Sequence, residues 1–176
     1  MRFKILVVAV LIATTASALT VKQASIKKLT ADAALVVTGT VAAQEARWDD
    51  GNIYTYVTLD IARCLKGQAP GKTVVVKNYG GTVGEISEVV AGAPVFAEGK
   101  EVLLFLTLWR GDYFIHSIAL GGFDIVQEGG ARYAVNDLSH VTLVDPVTHK
   151  EIAEPGQKRT KIELESFVAQ VRAFAR

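Results

Sequence analysis

The chain has 176 residues, half of them hydrophobic and 21% charged, which is enough apolar side chain for a sizeable core and excludes wholesale disorder. Its formal net charge of +1 falls to about −1 when an N-terminal export segment holding Arg2 and Lys4 is set aside, so a general electrostatic grip on nucleic acid or anionic lipid is excluded. The single cysteine, Cys64, excludes an internal disulfide, and packing alone must hold the fold.

Arg2 and Lys4 form a basic start, Ile5 to Ala13 an unbroken apolar run, and Ala16-Ser17-Ala18 the small-x-small pattern of a signal-peptidase site. Residues 1–18 therefore read as a signal peptide cleaved before Leu19. The nine-residue apolar run falls well short of the roughly 20 residues needed to span a bilayer. The expectation is a periplasmic or extracellular protein with no membrane insertion after cleavage. Residues 19–34 form an N-terminal segment in which Ser25 to Ala34 could make a short helix, and 35–176 form one domain.

From Leu35 onward, β-branched residues recur in short runs bounded by Gly, Asp and Pro, which is strand texture. The first strand is expected over Leu35 to Ala43 and the second over Ile53 to Leu65. In the second, Ile53, Val57, Leu59 and Ile61 share one face, with Tyr54, Tyr56, Thr58, Asp60 and Cys64 on the other. Asp49-Asp50-Gly51-Asn52 between them is hairpin chemistry, so the two should pair antiparallel. A third strand follows over Thr73 to Tyr79. Gly80, Gly81 and Gly84 punctuate a turn-rich stretch leading to a short edge strand over Ile86 to Val90.

Glu101 to Trp109 is apolar on both faces, as a central or curled strand would be. Strands over Tyr113 to Ala119, Gly122 to Gln127 and Ala131 to Val135 come next, then a loop-rich stretch from Asp137 to Thr160. The chain ends in a helix over about 162–174, with Leu164, Phe167, Val168, Val171 and Phe174 on one face and Thr160 as its expected N-cap. Many short strands with little helix predict a mainly all-β fold, an antiparallel OB-like β-barrel with a C-terminal α-helix; an open sandwich would bury the same residues.

The strings Arg47-Trp48-Asp49-Asp50-Gly51, Ile53-Tyr54-Thr55-Tyr56-Val57, Leu65-Lys66-Gly67, Gly80-Gly81-Thr82-Val83-Gly84 and Val102-Leu103-Leu104-Phe105-Leu106, in this order, resemble a family of exported bacterial proteins of uncharacterised function. Asn136-Asp137-Leu138-Ser139 and the terminal helix extend the resemblance over most of the mature chain. It implies an OB-like barrel similar to the fold of tissue inhibitors of metalloproteinases and netrin modules, with a protease as one class of partner. Some relatives carry metalloprotease segments; no histidine here sits in an H-E-x-x-H string. Those inhibitors chelate zinc through an N-terminal cysteine, where this mature chain would offer Leu19.

The spacing of His116, His140 and His149 matches no metal-ligand pattern, and the Asp49 to Asn52 segment lacks the order of a calcium loop, so no metal and no cofactor are expected. Cys64, in a strand, reads as an inert and largely buried thiol. No G-x-S-x-G elbow occurs, and Gly80 to Gly84 lacks the Gly-Lys-Ser/Thr ending of a phosphate cradle. Trp48, Tyr54 and Tyr56 could stack on a sugar, anchor a protein, or cover a second hydrophobic layer beneath the terminal helix. The expected function is an exported, non-enzymatic interaction module that binds a protein and not nucleic acid. Its expected contact surface joins Arg47 and Trp48 to the loop Gly81, Thr82 and Val83. The competing reading is a hydrolase or metal-dependent enzyme built from scattered His and Asp residues.

Overall fold

The computed structural model describes residues 20–139, 141–151 and 159–176. The expected signal peptide, its cleavage point and His140 lie outside the described residues. After a short strand β1 (Thr20–Lys22) comes helix α1 (Ile26–Asp32), started by Ser25, whose Oγ accepts from the Lys28 N–H at 3.2 Å. Its C-terminal end is closed from a distance. The Lys66 ammonium donates to the carbonyls of Thr30, Ala31 and Ala33, at 2.9 Å and 2.7 Å for the last two, placing a cation where the helix leaves acceptors unpaired.

β2 (Leu35–Asp49) and β3 (Asn52–Lys66) run 15 residues each and form a long antiparallel hairpin. Asp50 and Gly51 both take positive φ, 50° and 80°, the turn whose twist suits two right-twisted strands. β4 (Thr73–Tyr79) pairs with β3, while β5 (Gly81–Val83) and β6 (Ile86–Glu88) form a separate two-stranded ribbon. β7 (Glu101–Trp109) pairs with β2 and turns through Arg110-Gly111 into β8 (Asp112–Ile115). β9 (Gly122–Glu128), β10 (Ala131–Asp137) and β12 (Arg159–Glu163) continue the sheet beyond β7. β11 (Thr142–Val144) pairs in parallel with β1, and α2 (Leu164–Phe174) ends the chain.

Strands β2, β3, β4, β8 and β7 curl into a partly closed ring. β8 pairs with β7 over four positions but meets β4 through one parallel bridge, Val76 to Tyr113. The antiparallel barrel expected from the sequence is present as a partly closed ring: β8 is only four residues long, too short to seal the seam, and its one contact with β4 is parallel. That strand was expected to run to Ala119, but Ser117 and Ile118 adopt left-handed φ of 53° and 56°, which breaks it after Ile115. The bend that results is pinned by the Asn136 side chain, whose Nδ2 donates to the Ala119 carbonyl at 2.9 Å.

The two-sided apolar character of β7 follows from its position between two cores. Val102, Leu104 and Leu106 point into the ring with Val37, Val57, Leu59 and Val76. Leu103 and Phe105 point outward, where α1, α2 and the β9 and β10 strands cover them through Leu29, Phe123, Phe167 and Val171. Leu164, Phe167, Val168 and Val171 of the helix stripe are buried as the spacing predicts while Phe174 in the last turn is exposed, and α2 starts at Leu164 with Glu163, not Thr160, as its cap. Glu163 accepts from the N–H groups of Glu165 and Ser166 at 3.0 Å and 2.7 Å, while Thr160 is taken up by pairing with Asn136 in the sheet. Cys64 is exposed, which corrects the expectation of a buried thiol. Its strand face carries no covering layer at that end.

Candidate functional site

Alternate residues of a strand point to opposite faces, and the register of β2 against β3 is unbroken from Ala43 to the turn. Gln44, Ala46 and Trp48 therefore share a face with Ile53 and Thr55, and Arg47 and Asp49 share the other with Tyr54 and Tyr56. The expected surface of Arg47, Trp48, Gly81, Thr82 and Val83 divides across these two faces. Trp48 lies on the side that β5 covers; Arg47 lies on the reverse.

On the Trp48 side, the chain after β4 folds over the hairpin and is held by three bonds. The Gly80 N–H donates to the Ile53 carbonyl at 3.0 Å, the Thr55 hydroxyl to the Gly80 carbonyl at 2.7 Å, and the Ile53 N–H to Glu88 Oε2 at 2.8 Å. Gly81 has φ of 143°, and a Cβ there would stand 2.6 Å from Thr55 Oγ1 and 2.9 Å from the Ala46 Cβ. Only glycine fits. The sequence identified these glycines as special backbone, but not the clamp made by Glu88, which reads as an ordinary surface carboxylate.

Val89 to Gly99 then crosses the end of the ring as an irregular strap. Phe96 anchors it in the ring core, Asn78 Nδ2 donates to the Pro94 carbonyl at 2.9 Å, and the Gly99 N–H donates to the Val41 carbonyl at 2.8 Å. A cavity of about 370 Å³ lies between ribbon and strap, lined by Gln44, Thr55, Asn78, Thr82, Ser87 and Val89 among others. Val89 and Val95 at its edge are 92% and 85% exposed, and Trp48, on the hairpin, is 51% exposed, with Ile86 of the ribbon also exposed.

The reverse face holds a cluster that sequence reading placed only in part. Tyr54 and Tyr56 do not lie under the terminal helix; Phe105 and Phe123 occupy that place, packed on Phe167. Instead Tyr54, Tyr79 and Phe114 pack together, and the Lys77 ammonium sits 4.4 Å from the Tyr54 ring centroid. Lys77 bonds both Asp49 and Asp112, the second at 3.3 Å, and the Tyr56 hydroxyl donates to Asp49. Burial opposes the Lys77 charge, but its bonds to Asp49 and Asp112, with the Tyr56 hydroxyl beside it, outweigh that and hold the ammonium above the usual lysine value. The Lys77 and Tyr56 hydrogen bonds hold the Asp49 carboxyl below the ordinary range. The Arg47 guanidinium carbon lies over the Tyr56 ring, 3.6 Å from its centroid. The period-two placement of Tyr54 and Tyr56 was a visible signal; Lys77 and Asp112, which come from other strands, left none.

Among the described residues, His116 stands between a hydroxyl and a carboxylate, the order of an acyl-transfer triad. Its Nδ1 is 3.1 Å from the Thr107 hydroxyl and its Nε2 is 3.8 Å from Asp32 Oδ2, which is beyond hydrogen-bond distance. Asp32 is engaged instead by Lys28 at 2.8 Å. The contact is one of packing between α1 and the bend after β8. Burial lowers the His116 pKa, with Lys28 adding to it and Asp32 partly offsetting it. Above the ordinary imidazole value of 6.5 the ring is neutral in both folded and unfolded chains and stability is at its full value. As pH falls from there toward the lowered folded-state value, the unfolded chain takes up the proton first and stability drops. Urea unfolding at pH 7.5 and 5.5 is therefore expected to show a smaller acid-side loss for His116→Gln than for the parent; equal losses would remove His116 from the pH dependence.

Among the described residues no group of three or more His, Cys, Asp or Glu side chains is arranged to hold a metal ion. No described helix is long and apolar enough to cross a membrane. No protein-family model matches the chain, and no curated protein matches it.

Proposed function

We propose that the chain is an exported, non-enzymatic module of the OB-like type that binds a protein through the Trp48 end of its hairpin and the ribbon and strap folded over it. The OB-like reading is supported by a partly open ring of five strands, β2-β3-β4-β8-β7, with a helix packed outside it. The observation that carries the binding reading is the exposure of Trp48, Ile86, Val89 and Val95 on segments held rigidly by Glu88, Thr55 and Asn78. Rigid apolar anchors at an otherwise polar end are what a protein interface uses. The resemblance noted above makes a protease the first partner class to test.

A photoreactive residue in place of Val89 in the exported protein should give one dominant protein adduct in the native host. Trp48→Ala should remove the adduct while leaving the thermal midpoint nearly unchanged, because Trp48 is half exposed. A large midpoint drop with the adduct intact would make Trp48 a staple of the hairpin. Export itself is tested by mass measurement: the extracytoplasmic protein should begin at Leu19, and a form keeping Met1 in the membrane would overturn it.

A further inference from the structure

We infer that the reverse face of the hairpin, centred on Arg47, Tyr56, Asp112 and Trp109, is a second binding site, and that it takes a neutral polyhydroxylated ligand, an uncharged oligosaccharide segment. A groove of about 510 Å³ runs along this face, lined by Arg47, Tyr56, Pro70, Val75, Lys77 and Asp112 among others. It is the outer side of the ring, distinct from the Trp48 surface.

The chemistry of the groove selects the ligand by elimination. Lys77 bonds only Oδ2 of Asp112 and Oδ2 of Asp49, so the Oδ1 atom of each carboxylate has no hydrogen-bond partner among the described residues. Both side chains remain open to water. Arg47 lies on Tyr56 with no carboxylate among the described residues taking its N–H groups. The site thus offers fixed acceptors beside fixed donors. A phosphate or sulfate carries negative charge and would meet two carboxylates. A ligand ammonium would compete with Lys77, which already fills the space between the carboxylates and the rings of Tyr54, Tyr56 and Phe114. A hydroxyl both donates and accepts, and neighbouring hydroxyls of a sugar match a carboxylate next to a guanidinium.

The apolar face of a sugar also needs a ring to lie on. Trp109, just outside the groove lining, supplies one: it pairs with Asp112 across the β7–β8 turn, packs edge to face with Phe114 at 5.9 Å, and is 56% exposed. Arg110 sits 4.6 Å from its centroid and steadies it. Because Lys77 and Tyr56 already lock the polar groups in place, little side-chain freedom is lost on binding.

The test uses the mature protein with cellohexaose, chitohexaose and mannohexaose as neutral probes, a heparin hexasaccharide as the charged one, and an uncharged flexible peptide as the protein-like control. At least one neutral glycan should shift the tryptophan emission and the amide resonances of β3, β4 and β8. Trp109→Ala and Asp112→Ala should each weaken it about tenfold, the loss expected of one stacking or charge-assisted contact. Trp109→Phe should keep most of the affinity, and Trp48→Ala should leave it unchanged. The proposal is overturned if no neutral glycan binds, if the heparin fragment or the peptide is preferred, or if binding survives Trp109→Ala. Far-UV circular dichroism of each variant checks folding; if Asp112→Ala unfolds by releasing Lys77, the Trp109 pair alone decides.

Discussion

Phe167→Ala is expected to lower the stability of the protein by about 4 kcal/mol, the usual cost of deleting a buried ring. Phe167 has no exposed surface and is the centre of an aromatic trio, 4.9 Å from the Phe123 ring and 6.1 Å from that of Phe105. Phe105 and Phe123 are themselves 5.9 Å apart, so the cavity left behind would be walled by two rigid rings on paired strands that cannot collapse into it. In a domain of this size the loss should appear as a fall in Tm of about 12 °C. Because α2 covers the outer core, amide exchange should rise first in α2 and in β9 and β10, ahead of the ring strands. A drop below about 1 kcal/mol would mean that α2 is a loosely docked appendage rather than one wall of the core.

Gly39→Ala is expected to cost about 3 kcal/mol, by a different mechanism. Its φ is ordinary, so the backbone is not the obstacle; the space is. A Cβ at Gly39 would stand 2.2 Å from the Asp60 carbonyl oxygen and 2.9 Å from Leu59 Cγ. Gly39 pairs with Ile61 on one side and Val102 on the other, at a register irregularity of β2, so neither neighbour can move away without opening the ring. Gly71→Ala is the control. A Cβ there has nothing within 4 Å and its φ is not left-handed, so the change should be near neutral or slightly stabilising. Urea midpoints of the two variants should separate clearly; equal midpoints would mean that the β2 irregularity relaxes to admit a methyl group.

Hydrophobic alternation and turn chemistry, both local, were enough to place the longer strands, but not β1, β5, β11 or β12, which are short; β1, β11 and β12 also take their pairing from distant segments. The bounds of Thr73 to Tyr79 and Glu101 to Trp109 are the same in sequence and structure, because each run is flanked by residues that end a strand. Asp50-Gly51 announced its turn, since few other pairs accept positive φ at two successive positions. The apolar spacing of the last segment likewise named the buried residues Leu164, Phe167, Val168 and Val171.

Tertiary structure decided what covers each face. Simple alternation would put Cys64 and Tyr54 on the same side of β3, but the register irregularity between Ile61 and Arg63 turns Cys64 to the side of its partner Val37, beyond the end of the β4 pairing, so the thiol stays in water while the Tyr54 ring packs on Tyr79 and Phe114. Thr160 is a good cap in isolation, but strand pairing with β10 claims it and the capping passes to Glu163. Arg47 and Trp48 are neighbours in sequence and opposites in space, because a strand turns successive side chains to opposite faces and the ribbon after Gly80 covers only one of them. Lys77 and Asp112 come together with Asp49 from three strands separated by turns and a strap. Such a cluster is set by register across the ring, which no local pattern carries.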